Sequence, residues 1–174
     1  MAVVDLAFWT AADPGRVWRY FTSAADLSTW HGKAEYFEAR PGGRVRFCDP
    51  GWDPVEGVVT RVEPGRLLSW RIPADASEIT ETFDPDRGGT RVTIVQRGTA
   101  AGWPPDGLPG RIRGWEESIA DLVLLLDHGV RAARHLARRA ETECRPGMSP
   151  PAWLSAPSAL TGRPRPPAFA SVTS

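Results

Sequence analysis

The chain has 174 residues, enough for one domain with a substantial core and not obviously for two. Its 21 basic and 21 acidic residues balance to a net charge of +0, so no global field recruits nucleic acid or an anionic membrane. The longest apolar run, Leu122 to Leu126, is far too short to span a bilayer.

The N-terminus, MAVVDLAFWTAADPG, has no basic region and carries an early Asp5, so it does not read as a signal peptide. A cytoplasmic protein is expected. Val3 to Trp9 is a first strand, with Val4, Leu6 and Phe8 on one face. Asp13-Pro14 then opens a helix, Asp13 as its N-cap and Pro14 at the first helical position. Val17, Trp18 and Phe21 give it an apolar face. A second short helix, about Ala24 to Trp30, ends before Gly32.

Strands then follow in series. Ala34 to Ala39 and Arg44 to Cys48 flank the Pro41-Gly42-Gly43 turn. Asp49 to Pro54 is a loop. Val55 to Glu63 and Arg66 to Ile72 flank Pro64-Gly65, the residue pair of a type II turn, and so form a hairpin. Ser77 to Phe83 and Thr90 to Arg97 form another, joined by DPDRGG. The spacing of turn signals gives about seven antiparallel strands. After a loop containing Trp103-Pro104-Pro105, a long helix begins near Leu108 or Pro109. Trp115, Ile119, Leu122 and Leu126 recur on one of its faces. Gly129 kinks or ends it, and Val130 to Glu141 can continue it. The division expected is a domain over 1–142 and a Pro-rich, disordered tail over 143–174.

A sheet of this length curls, and the amphipathic C-terminal helix is the only element long enough to cover its concave face. A cavity between them is the natural place for a small-molecule site. The two cysteines, Cys48 and Cys144, lack CxxC spacing, so reduced thiols are expected. His31, His128 and His135 are dispersed, and no nucleotide fingerprint or metal-ligand set stands out. No cofactor and no metal are expected.

Several residues carry possible chemistry. Alternation puts Ile79, Glu81 and Phe83 on one face. If that face is internal, the Glu81 carboxyl is desolvated and its pKa raised, which suits general acid/base work. The alternative is a one-residue register shift, or a Glu near the open edge of the sheet. Val92, Ile94 and Gln96 also share a face, and Gln96 can orient a ligand oxygen or satisfy backbone at the strand end. His31 can transfer protons near neutrality or cap the second helix. Trp30, Trp70, Trp103 and Trp115 suit a wall for a flat, apolar ligand, although Trp70 and Trp115 also fit ordinary core; the Trp103 loop suits a lid. With Phe47 and Ile119, these residues complete the candidate ligand-binding set. Arg111 and Arg113 either hold an anionic group or form a solvated helix start.

The motifs PGRVW (14–18), LSTWH (27–31), RPGG (40–43), GVVTRVEPGRLLSW (57–70), GGT (88–90) and GWEES (114–118) occur in an order that resembles the START-like, or SRPBCC, helix-grip superfamily. Within it the chain is most similar to bacterial relatives of the activator of heat-shock protein 90 ATPase. The resemblance covers about residues 3 to 128. It implies an α+β helix-grip fold, a curved antiparallel sheet wrapped around a long C-terminal helix. It implies less about activity, because the superfamily includes hydrophobic-ligand carriers, polyketide cyclases and co-chaperone-like domains. Two functions follow as expectations. One is binding of a hydrophobic or aromatic small molecule, extended to cofactor-free cyclase or isomerase chemistry with Glu81 or His31 as acid or base. The other is a stress-linked or co-chaperone-like interaction domain. A homodimer or protein partner is a further expectation.

Overall fold

The computed structural model describes residues 2–48, 54–99 and 107–131. Its elements are β1 (Ala2–Thr10), α1 (Pro14–Thr22), α2 (Ala24–Leu27), β2 (Lys33–Phe37), β3 (Arg44–Cys48), β4 (Val55–Glu63), β5 (Leu67–Ile72), a 3-10 turn at Pro73–Asp75, β6 (Ser77–Asp86), β7 (Gly89–Gly98) and α3 (Gly107–His128). The seven strands form one antiparallel sheet in the order β1-β7-β6-β5-β4-β3-β2. This is the α+β helix-grip arrangement expected, with two short helices after the first strand and one long helix at the end. The Trp103 loop and the tail over 143–174 lie outside the described residues.

Local chemistry accounts for the elements. Asp13 accepts a hydrogen bond from the Arg16 N–H at 3.0 Å, closing the N-terminus of α1 with Pro14 at its first position. In the β4–β5 hairpin, Gly65 adopts φ +72°, and the Arg66 N–H donates to the Glu63 carbonyl at 2.9 Å. This is the left-handed second corner that a Pro-Gly type II turn requires. Gly129, at φ +67°, terminates α3, and its N–H caps the Leu125 carbonyl at 2.9 Å. The helix therefore does not continue unbroken past Gly129. The β6–β7 turn is tighter than DPDRGG suggests, because pairing extends to Asp86 opposite Gly89.

One expectation is overturned at the end of β3. Cys48 is disulfide-bonded rather than a reduced thiol. Local spacing carries no information about a partner that tertiary folding supplies. Cys144 lies outside the described residues.

The core lies between the concave face of the sheet and the helices. Val4, Leu6, Phe8, Leu68, Ile79, Phe83, Val92 and Ile94 line the sheet side; Val17 and Phe21 come from α1, and Ile119, Leu122 and Leu126 from α3. α3 makes its close backbone contacts with β1. A side-chain latch fixes that end: Thr10 Oγ1 donates to Asp127 Oδ1 at 2.5 Å, and the Ala11 N–H donates to the same oxygen at 3.0 Å. Among the described residues no helix is long and apolar enough to cross a membrane.

Candidate functional site

Strand register sets the site. On the concave face, Trp70 of β5, Ile79 of β6, Gln96 of β7 and Val4 of β1 lie opposite one another in one row. The next row is Leu68, Glu81, Ile94 and Leu6. Glu81 therefore has apolar side chains across both neighbouring strands and at both same-face positions of its own strand, Ile79 and Phe83. The inward register holds, and the alternatives of a register shift or an open-edge position do not. Glu81 is 3% exposed.

Burial raises the Glu81 pKa from the ordinary 4.5 to about 8, opposed only by the nearby Trp70 side chain. The carboxyl is thus mostly protonated at neutral pH. Although Trp70 is close enough to favour the charged form, neither Trp70 Nε1 nor Glu81 Oε2 completes a hydrogen bond. Both atoms are buried. An orphaned donor beside an orphaned carboxyl oxygen is costly in a protein interior and uncommon without a functional reason.

Trp70 owes its place to Gly57. A Cβ on Gly57 would lie 3.0 Å from Trp70 Cε3 and 2.9 Å from the Arg71 carbonyl oxygen. The indole thus lies over a strand position with no side chain. Around it is an aromatic cluster. Phe47 sits at 5.8 Å and Phe37 at 6.2 Å from Trp70, and Phe37 at 6.4 Å from Phe47, centroid to centroid. His31 meets Phe47 edge-on at 5.3 Å and stacks on Trp115 at 5.0 Å. Its Nδ1 lies 3.4 Å from Ser118 Oγ of α3.

Of the candidate residues, Glu81, Gln96, Trp70, Trp115, Phe47, Ile79, Ile94 and Ile119 are buried and His31 is half-buried. Their roles differ. Trp115 Nε1 donates to Gln96 Oε1 at 2.8 Å, so this pair ties α3 to β7. The His31 backbone N–H caps the Leu27 carbonyl at 3.0 Å, while its ring turns toward α3 and the aromatic cluster. The ring contacts run from His31 through Phe47 to Trp70, which lies beside Glu81. Trp30 is core, 1% exposed, with its Nε1 donating to the Tyr20 carbonyl at 2.9 Å and its ring against Phe21. Phe83 lies beneath α1, edge-on to Trp18 and Phe21. Trp103 lies outside the described residues.

Phe37 and Ser118 belong to the site and were not anticipated. Phe37 escaped strict alternation because β2 carries an irregularity at Glu35: Ala34 pairs with Phe47 and Phe37 with Val45, so Ala34 and Phe37 both turn inward. Arg111 is occupied by an ion pair with Asp75 at 2.6 Å, which pins the start of α3 to the turn after β5. Among the described residues no three His, Cys, Asp or Glu side chains converge as metal ligands.

Comparison with known proteins gives a consistent picture. Residues 11–127 match the family model described as Activator of Hsp90 ATPase homolog 1-like protein. No curated protein matches the chain in sequence. Among solved structures, protein MLL2253 of Mesorhizobium loti is 24% identical, with a TM-score of 0.65 over 72% of this chain and 96% of its own. The Aha1 dimer of Colwellia psychrerythraea is 16% identical, with a TM-score of 0.63 over 74% and 98%. DynU16, a protein of the dynemicin biosynthetic locus, is 20% identical, with a TM-score of 0.64 over 74% of this chain and 48% of its own. At these identities the structural likenesses establish the fold.

Proposed function

The chain belongs to the family of Activator of Hsp90 ATPase homolog 1-like proteins, and from that premise we propose that it binds a hydrophobic or aromatic small molecule between the sheet and α3. The observation that carries this reading is the pair of buried, unpartnered polar atoms, Glu81 Oε2 and Trp70 Nε1, set among aromatic side chains. A packing-only core has no use for such a pair, whereas a ligand site typically has an apolar wall with a few placed polar groups.

The reading extends to chemistry of cyclase or isomerase type without a cofactor. The site would hold a flexible, polyketide-like chain in one reactive shape, with the protonated Glu81 carboxyl as proton donor. His31, at the other side of Phe47, is the second candidate for proton transfer. The fold shared with a protein of the dynemicin biosynthetic locus is compatible with a role in secondary metabolism.

A second reading, a co-chaperone-like interaction domain, draws support from the family's description and from the exposed apolar side chains Val3, Trp9, Leu124 and Val130. It leaves the orphaned Glu81–Trp70 pair without a purpose. A homodimer fits either reading, since the Colwellia relative is a dimer.

Native mass spectrometry of protein purified from its own producing cells tests the proposal. The small-molecule reading predicts a retained non-protein mass that organic solvent releases. Repeated recovery of the bare chain together with a stoichiometric protein partner would favour the second reading. Once a substrate is identified, unchanged turnover in Glu81→Gln would remove Glu81 from the mechanism.

A further inference from the structure

The two orphaned atoms specify more than an apolar ligand. Trp70 Nε1 can only donate a hydrogen bond. Glu81 Oε2 belongs to a carboxyl whose neighbours across the sheet are Leu68 and Ile94, with Ile79 and Phe83 along its own strand. None of these can accept a proton or donate to an anion. In the adjoining row, which Trp70 shares, Gln96 already uses its side-chain oxygen to accept from Trp115 at 2.8 Å.

We infer that Trp70 Nε1 and the Glu81 carboxyl together grip one oxygen atom of an uncharged, planar ligand, a ketone or quinone-type carbonyl held flat against Phe47 and Phe37. This deepens the reading of the interior as a ligand site and rests on it. A carbonyl oxygen has two lone pairs and no proton, so it accepts from two converging donors. The indole N–H supplies one and the carboxyl O–H the other. A hydrocarbon would leave both orphaned. A carboxylate ligand would bring a second ionisable acid beside Glu81 in an apolar setting, where charge is costly.

The arrangement also makes binding respond to pH. With its proton, Glu81 donates to the ligand oxygen; without it, the carboxylate offers only acceptors and repels that oxygen. The buried titratable side chains on the packed helices are Tyr20 on α1 and Asp121 on α3, with half-buried His31 after α2; the other charged residues of these helices are half-buried or exposed. None of them shifts Glu81 as a charge; burial raises its pKa and only Trp70 opposes it. Affinity for the carbonyl ligand is therefore full well below the Glu81 pKa of about 8 and falls as pH rises through it.

The experiment compares two probes on the full chain: acetonaphthone, and isopropenylnaphthalene, in which a methylene replaces the carbonyl oxygen. Binding is followed by tryptophan fluorescence at about pH 6 and about pH 10, either side of the Glu81 pKa of about 8. The ketone is expected to bind about tenfold tighter than the hydrocarbon at the lower pH, from two buried hydrogen bonds, and to lose that preference at the higher pH. Glu81→Gln keeps both donors and should retain the preference at both pH values; Glu81→Leu, left with the indole donor alone, should show a weaker preference that does not change between the two pH values. Equal binding of the two probes by the wild-type chain would mean that water satisfies the pair, overturning this inference while leaving the ligand site standing. Failure of both probes to bind would overturn the ligand reading itself, and the inference with it.

Discussion

Replacing Glu81 by Gln should make the protein more stable, and increasingly so as the pH rises. The folded carboxyl has a pKa of about 8 against an ordinary value of 4.5. Between those values the folded chain holds a proton that the unfolded chain has released. Unfolding therefore becomes easier as pH increases, at about 1.4 kcal/mol per pH unit. The contribution is fully favourable below 4.5, has fallen by about 3 kcal/mol at neutral pH, and is lost by about 5 kcal/mol above pH 8. Against a typical domain stability of about 5–15 kcal/mol this is a large fraction. Gln keeps the shape without the charge, so Glu81→Gln should show none of this slope. The assay is urea unfolding of both proteins across the pH range, read as a difference so that other titrating groups cancel. Parallel stability curves from pH 5 to pH 9 would refute the reasoning, because they would mean that Glu81 ionises in the folded state as it does in water.

Three other substitutions probe the supports of the site. Gly57→Ala should push against the Trp70 ring and the Arg71 carbonyl, costing about 1–3 kcal/mol, measurable by thermal unfolding with a shift in tryptophan emission. Trp115→Phe keeps the ring stack on His31 but removes the donor to Gln96, costing about 1–3 kcal/mol by leaving a buried amide oxygen unpaired; an unchanged unfolding midpoint would mean the bond contributes nothing. Thr10→Val should release Asp127 from its hydroxyl donor and loosen the end of α3 from β1. Faster amide hydrogen exchange at residues 122–128 is the expected sign, with little change in β4 and β5.

Much of the fold was legible because its punctuation is local. Asp13-Pro14 and Pro64-Gly65 dictate a helix start and a turn through their own covalent geometry, and Trp115, Ile119, Leu122 and Leu126 mark the buried face of α3 by spacing alone. Glu81 was legible for the same reason, since β6 keeps strict alternation from Ile79 to Phe83. Phe37 was not, because the irregularity at Glu35 moves every later side chain of β2 to the other face. The pairing of Trp115 with Gln96, the stacking of His31 on Trp115 and the Arg111–Asp75 ion pair depend on how α3 is set over the sheet, which no local pattern encodes. The disulfide state of Cys48 is of the same kind.

The most direct test of a ligand gripped by Trp70 and Glu81 is the set of indole N–H resonances in a proton–nitrogen NMR spectrum, recorded while acetonaphthone is added below the Glu81 pKa. The indoles of Trp9, Trp30 and Trp115 already donate to Asp86, Tyr20 and Gln96, whereas that of Trp70 has no acceptor. The account predicts that the Trp70 N–H moves furthest, downfield, as it gains a carbonyl partner, and that the same titration of Glu81→Leu moves it much less. A Trp70 resonance that stays in place while the exposed Trp9 resonance shifts would contradict it.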